Sequence, residues 1–402
     1  MSNKTAIPTQ PKQRVMALDA LRGFAMLGIL IVNIGYYAGW DGWSAGDSTQ
    51  QAVTQSMNWV NPGLITQLFV QIFADSKFIT IFSLLFGSGI AMIVTGMKRR
   101  GLDARGLHYR RQLWLLVIGL VHFLFIWDGD ILMIYAISGM IVYLFHTRPP
   151  RQLLTLGIVG ILFAPLVTMA MAQISIGIDW SGFVETTSGT GNWLAMAQSR
   201  LAYIIGDLSD AIDFRIMGLM LAGMALYQWG VVLAQKSLQF YRSMAWIGLG
   251  MGLPLAVLSV LPWVGGTDRF AVIDPNYWGS LFMASGYIGL IMLIAKTELL
   301  PRVTERLAAV GRMALTNYLM QSILCALLMY DYGLGLGVRL GSAQQLLIVG
   351  GVWALQLWWS PLWLRHFRFG PFEWIWRSLT YMKLQPIRIQ PIGRIGVEQF
   401  SG

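Results

Sequence analysis

The chain has 402 residues, of which 55% are hydrophobic and only 12% are charged. This leaves too little polar surface to coat a soluble protein of that length, which excludes a soluble globular enzyme and predicts an all-α, multi-pass membrane protein. The formal charge of +10 comes from Lys and Arg clustered in alternate predicted loops, 98–111 and 296–312, and in the tail after residue 364. This is the pattern of cytoplasmic loops, so nucleic acid is not a predicted partner.

About ten apolar segments are predicted as membrane-spanning helices, because a bilayer core about 30 Å thick needs about 20 apolar residues. In chain order they are 16–37, 78–97, 112–127, 131–145, 153–174, 214–234, 244–264, 277–295, 313–332 and 344–364. An even number of crossings puts both termini on one side. The Lys and Arg bias predicts that this side is the cytoplasm.

The predicted helices divide the chain into three parts: a cytoplasmic N-terminal tail (1–15), a transmembrane domain (16–364) and a basic, aromatic tail (365–402) along the cytoplasmic membrane surface. Amphipathic segments at 63–77 and 193–213 precede the second and sixth helices on the external side. Polar loops at 39–62 and 265–276 and around Asp179 and Glu185 are predicted to be external.

The first helix opens with an acid and a base three residues apart, Asp19 and Arg22, which share one helical face. Charged side chains at the end of a membrane-spanning helix cost free energy unless they are paired or face a water-filled cavity. Two interpretations stay open. The two side chains form a structural ion pair at the cytoplasmic interface, or they belong to a ligand site.

His122 is the only histidine well inside a predicted crossing. Its imidazole can act as a general base or proton relay, or it can form a structural hydrogen bond between helices. Two acids follow closely. Asp130 is placed to cap the fourth helix, and Asp128 is predicted to orient His122 or a ligand.

Further polar residues lie within the predicted crossings. Asn317 and Gln321 share a helical face, which fits hydrogen bonding between helices as well as ligand contact. The others fall toward the external halves of their helices and indicate an outward-facing polar cavity: Asn33, Asp75, Lys77, Arg215 and Asp331.

Motifs for other chemistries are absent from the sequence. It contains no phosphate-binding glycine loop, no Gly-x-Ser-x-Gly nucleophile turn and no metal-spaced cluster of His and acids, so no metal site is predicted. The single cysteine, Cys325, cannot form a disulfide within the chain.

Several motifs together resemble the YeiB-like family of bacterial inner-membrane proteins over nearly the whole chain. They are Leu18-Asp19-Ala20-Leu21-Arg22-Gly23 with Gly28 and Asn33, Phe86-Gly87, Gly119 with His122, Trp127-Asp128-Gly129-Asp130-Ile131-Leu132, Gly311-Arg312-Met313-Ala314-Leu315-Thr316-Asn317-Tyr318, Gly370-Pro371, Glu373-Trp374 and Trp376-Arg377.

The first motif also resembles the opening of the wider transmembrane acyltransferase superfamily, which includes acyltransferase-3 proteins and the heparan glucosaminide N-acetyltransferase group. This resemblance implies an acyltransferase-3-like helical bundle that passes an acyl group from cytoplasmic acyl-CoA to a sugar or lipid acceptor outside. It implies no bound cofactor. Acyltransferase-3 proteins carry a histidine where this chain has Asn33, and residues 39–62 contain none. Catalysis is therefore predicted to rest on His122.

Three functions remain open at this stage. The first is acyl transfer, with His122 and Asp128 as catalytic groups and with Asp19, Arg22, Asn33, Asp130, Arg312 and Asn317 binding donor or acceptor. The second is a transporter or permease for a small solute, with the same polar residues lining the pathway. The third is a non-catalytic scaffold. The lipid bilayer is a partner in every case, and the prediction leaves room for a homodimer.

Overall fold

The structure is a computed structural model that describes residues 16–37, 62–175, 193–206, 213–261, 274–337 and 339–389. In these ranges the chain is helical apart from turns, a short 3₁₀ segment and one antiparallel bridge between Phe367 and Arg388. The all-α prediction is confirmed. The α-helices are α1 (Met16–Tyr37), α2 (Pro62–Phe73), α3 (Lys77–Arg99), α4 (Arg105–Phe125), α5 (Leu132–Val142), α6 (Pro150–Ser175), α7 (Trp193–Gly206), α8 (Phe214–Gln228), α9 (Leu238–Leu258), α10 (Pro275–Thr297), α11 (Pro301–Arg312), α12 (Ala314–Met329), α13 (Ser342–His366) and α14 (Pro371–Tyr381).

Some predicted segments lie outside the described residues. They are the N-terminal tail (1–15), nearly all of the loop at 39–62, the loop containing Asp179 and Glu185, most of the loop at 265–276 and the last residues of the tail, 390–402.

Five helical segments are long and apolar enough to cross a bilayer: Met16–Tyr37, Pro62–Arg99, Pro150–Ala170, Pro275–Thr297 and Ser342–His366. Two shorter apolar segments, Leu132–Phe145 and Ala314–Met329, accompany them. These helices are those of a multi-pass membrane protein. Ten crossings and cytoplasmic termini stay predictions.

Most predicted helix bounds are close to the observed ones, but the sixth helix ends at Gln228 rather than at 234, and the seventh spans Leu238–Leu258 rather than 244–264. The third predicted helix, 112–127, begins earlier, at Arg105. The basic segment after residue 296, interpreted as a loop, contains α11, so that interpretation is wrong for residues 301–312. Pro301 occupies the first turn of α11, where its missing N–H costs nothing, and Arg302 and Arg306 are exposed while Ala308 to Gly311 are buried.

Glycines allow the central helices to pack so closely that their backbones are in contact. A Cβ on Gly87 of α3 would lie 1.9 Å from the carbonyl oxygen of Met220 in α8, and one on Gly223 of α8 would lie 1.9 Å from that of Leu84 in α3. Helices inside a bilayer gain little from the hydrophobic effect and depend on such close packing. The α3–α8 crossing is therefore specified by small residues.

We expect Gly87→Ala to lower the melting temperature of the purified protein in detergent, because the added methyl group collides with backbone. Overpacking of this kind costs about 1–3 kcal/mol. Gly96→Ala is the matched control on α3, since a Cβ there has nothing within 4 Å, and alanine favours a helix over glycine. Equal melting temperatures for the two variants would contradict this account of the crossing.

Candidate functional site

The Asp19–Arg22 pair forms on the first turns of α1. Arg22 Nη1 donates to Asp19 Oδ1 at 3.0 Å, as their spacing predicts. Gly23 lets α1 approach α11, since a Cβ there would lie 1.9 Å from the Leu307 carbonyl oxygen. This contact brings the pair beside Arg312 at the end of α11.

A cavity of about 250 Å³ lies against this pair and is lined by α1, α3, α4, α5, α11, α12 and α14. Six charged side chains line it: Asp19, Arg22, Arg111, Arg312, Glu373 and Arg377. Four cations and two carboxylates leave a formal charge of +2. We refer to this part of the bundle, where α1 begins and α14 docks, as the basic end.

Aromatic rings support two of the arginines. The Arg111 guanidinium carbon lies 3.7 Å from the centre of the Trp376 ring, and Trp376 Nε1 donates to the Arg111 carbonyl oxygen at 2.9 Å. Arg377 lies 4.6 Å from the Phe369 ring centre. Cation–π contacts stabilise a guanidinium while its N–H edge stays available to an anion.

Helix α14 docks on the bundle through Glu373. Its carboxylate oxygens accept from Thr316 N at 3.0 Å and Thr316 Oγ1 at 2.5 Å. Glu373 thus caps the N-terminus of α12, which has no side-chain cap of its own. Burial raises the pKa of the Glu373 carboxyl, and the hydrogen bonds from Thr316 oppose that rise. The prediction that residues 365–402 lie along the membrane surface did not include this docking of α14 on the bundle.

The inner end of the cavity reaches Tyr318, whose ring centre lies 5.1 Å from that of His122. The Tyr318 hydroxyl accepts from the backbone N–H of Ile131 at 3.4 Å. His122 itself does not line the cavity. One aromatic ring therefore stands between the cavity and the histidine.

His122 is buried and pairs with Asp130. Its Nδ1 lies 2.8 Å from Asp130 Oδ1, while Oδ2 of the same carboxylate accepts from Met133 N at 2.8 Å. The predicted capping role of Asp130 is confirmed. Gly119 makes room for this arrangement, since a Cβ there would lie 2.9 Å from Asp130 Oδ2.

The prediction that Asp128 orients His122 is wrong. The chain reverses between α4 and α5, and the free N–H groups at the start of α5 draw Asp130 back against α4, so Asp130 occupies that place. Asp128 instead faces Arg200 of α7, with Oδ1 and Nη2 separated by 3.5 Å.

The remaining predicted site residues lie away from the cavity. Asn317 is buried among α11, α12 and α13, where its Nδ2 donates to the Val310 carbonyl oxygen at 3.1 Å and to Ser360 Oγ at 3.2 Å. Gln321 Nε2 donates to Gln356 Oε1 at 2.9 Å. These contacts join helices. Asn33 is half-buried in α1 and does not line the cavity.

A second polar cluster surrounds the break between α2 and α3, where Ser76 has a φ of 61°. Lys77 Nζ donates to the Gln71 carbonyl oxygen at 2.6 Å and to Asn276 Oδ1, and Asn276 Nδ2 donates to Asp75. Arg215 of α8 lies nearby and donates to Ser280 Oγ at 2.7 Å. Among the described residues no group of three or more His, Cys, Asp or Glu side chains could hold a metal ion.

Comparison with known proteins gives full-length relatives. The chain is 30% identical to the uncharacterized protein YxaH of Bacillus subtilis (94% of this chain, 97% of YxaH) and 32% identical to the uncharacterized protein YeiB of Escherichia coli (93% and 98%). The chain belongs to the YeiB-like family. Residues 226–383 match the family described as a protein of unknown function (DUF418). An uncharacterized 39.9 kDa protein of Bacillus acidopullulyticus is 27% identical over 95% of this chain and 98% of its own length. No solved structure matches the chain.

The YeiB-like resemblance is thereby confirmed, whereas the resemblance to acyltransferases stays a prediction. Three cavity residues escaped the sequence-based search for site residues: Arg111, Glu373 and Arg377. Glu373 and Arg377 belong to the Glu373-Trp374 and Trp376-Arg377 family motifs, so the sequence did mark these two positions. It could not show that they share a cavity with Arg22, because they are far from it in sequence.

We expect Glu373→Ala to release α14, because α12 loses its cap at a cost of about 0.5–2 kcal/mol. Trypsin should then cut after Arg377 about 2–30 times faster, since cleavage follows the population of the open form. Mass spectrometry of the fragments measures this rate. Glu305→Ala on α11 removes an exposed acid and is the matched control. Unchanged cleavage in Glu373→Ala would show that Glu373 does not hold the tail helix.

Proposed function

We propose that the protein transfers an acyl group from an anionic donor in the cavity to a sugar or lipid acceptor on the other side of a bacterial inner membrane, with the basic end in the cytoplasm. One observation carries the proposal. The arginine-lined cavity ends at Tyr318, whose ring packs against a buried His122–Asp130 pair. Binding groups for a donor and a base for an acceptor thus lie on the two sides of one side chain.

The His122–Asp130 contact determines which imidazole nitrogen can act as a base. When Nδ1 of the neutral imidazole donates to the Asp130 carboxylate, the lone pair lies on Nε2. Among the residues that the structure describes, Nε2 has no hydrogen-bond partner. A buried nitrogen in this state is available to an acceptor hydroxyl.

The proposed reaction needs no other co-reactant. The acceptor hydroxyl oxygen attacks the acyl carbonyl carbon while His122 Nε2 takes its proton, and Asp130 stabilises the resulting imidazolium. The bond between the carbonyl carbon and the donor's leaving atom, a thioester sulfur or an ester oxygen, then breaks, and the leaving thiolate or alkoxide receives the proton. Tyr318 has to turn aside, because its ring separates the two reactants.

Transport of a small solute is the second candidate, favoured by the polar cluster at the break between α2 and α3. Interrupted helices that carry charged side chains inside the membrane are typical of transporter sites. Asp75 and Lys77 fit that description. Transport moves an intact solute, so this candidate predicts no acyl product.

We expect His122→Ala to reduce acyl product by about 10²–10⁴-fold, the usual contribution of a general base. Cells expressing the wild type or a variant would be compared with cells lacking the protein. Mass spectrometry of extracted lipids and glycans would identify species heavier by one acyl group.

His366→Ala is the control for that experiment, because His366 is exposed at the end of α13 and does not line the cavity. It should keep the wild-type product level, while Asp130→Asn should resemble His122→Ala. Acyl product that is independent of the protein, or a full yield from His122→Ala, would refute acyl transfer by this histidine.

A further inference from the structure

The cavity has two chemically different halves. Arginines cluster at the basic end, and the deeper wall is apolar, with Met26 of α1, Phe82 and Phe86 of α3 and Leu115 of α4. On α3 the lining extends from Phe82 to Ile93, about 16 Å at 1.5 Å per residue. A ligand that fills this space needs a charged head and an apolar chain.

The charge of the rim indicates what kind of head fits. Within the described residues Arg22 is the only one of the four arginines in a carboxylate salt bridge, and Arg312 Nε is buried without a hydrogen-bond partner. The Glu373 oxygens are occupied by Thr316. The formal charge of +2 matches a phosphate monoester, which carries about −1.5 to −2 at neutral pH. A carboxylate would compensate only half of it.

Arginine geometry agrees with that charge. A guanidinium matches phosphate oxygens with two parallel N–H groups, and Arg111 and Arg377 contact aromatic rings and form no carboxylate salt bridge among the described residues. Their donors are positioned before a ligand arrives. Such preorganisation reduces the entropy lost on binding.

We propose that this cavity binds an amphiphile that carries a phosphate monoester on an apolar chain, with the phosphate on Arg22, Arg312 and Arg377 and the chain along α3. The inference rests on the proposed function in that it names the class of acyl donor. Two sources share this chemistry: a phospholipid whose headgroup is a free phosphate monoester, such as phosphatidic acid, from the bilayer, and a thioester of a cofactor that bears a phosphate monoester, from the cytoplasm.

Gly89 offers a test of the cavity's volume that leaves the charges intact. It lines the cavity, and a Cβ there would find only Arg22 Nη2, at 3.9 Å. A larger side chain at this position projects into open space. Gly96 on the same helix has nothing within 4 Å and does not line the cavity, so the two glycines form a matched pair.

The experiment measures equilibrium binding of radiolabelled dodecyl phosphate to the full-length protein in phosphatidylcholine nanodiscs. We expect Arg312→Gln and Arg377→Gln each to weaken binding about 10- to 100-fold, with Arg306→Gln on the exposed face of α11 unchanged. Gly89→Leu should weaken binding about 10- to 100-fold, with Gly96→Leu unchanged. Dodecanoate, dodecyl maltoside and inorganic phosphate should compete poorly.

Competition by dioctanoyl phosphatidic acid would identify the bilayer as the source, and competition by octanoyl-CoA would identify the cytoplasm. Competition by neither, equal binding of dodecanoate, or full affinity in both arginine variants would overturn the proposal. His122→Ala should bind normally, because His122 lies outside the cavity. Binding without any acyl product would refute the proposed function and leave this site intact.

Discussion

The close contact between α1 and α11 is the constraint on which the candidate site depends. A Cβ on Gly23 would collide with the carbonyl oxygen of Leu307. A Cβ on Gly311 would lie 1.9 Å from the carbonyl oxygen of Asp19. Because neither glycine has a side chain, the two backbones touch, and Arg22 and Arg312 meet on one cavity wall. A single larger residue at this crossing would separate the two arginines and open the floor of the cavity.

Four arginines around one cavity are costly to bury, and the surroundings reduce that cost in three ways. Asp19 neutralises Arg22 within the same helix, and two aromatic rings lie under Arg111 and Arg377. Glu373 adds a negative charge while it holds the tail helix in place. The charge that stays uncompensated is positive. A membrane protein keeps such an imbalance at the expense of stability, which is why we associate it with ligand binding.

Long apolar segments were the most predictable part of this chain, because a bilayer dictates their length. The first helix was predicted with its observed bounds, 16–37. Helix α11 was missed because twelve amphipathic residues with three arginines look like a cytoplasmic loop when hydropathy alone is considered.

In the site, the Asp19–Arg22 pair followed from helical spacing. The partner of His122 did not, since the choice between Asp128 and Asp130 depends on how the chain reverses. Arg22 and Arg377 line the same cavity because of tertiary packing, which local sequence patterns cannot reveal.

The docking of α14 also determines when the cavity can exist. Arg22 lies in the first described helix and Arg377 in the last. At about 5–20 residues per second, a ribosome needs roughly 20–70 s to pass from one to the other. During that interval α1 resides in the membrane without a complete α14, and for most of it without α11 and α12 as well. Its arginine then has one carboxylate that is present from the beginning, Asp19, three residues earlier on the same helix. The ion pair thus serves the nascent chain before it serves the finished protein.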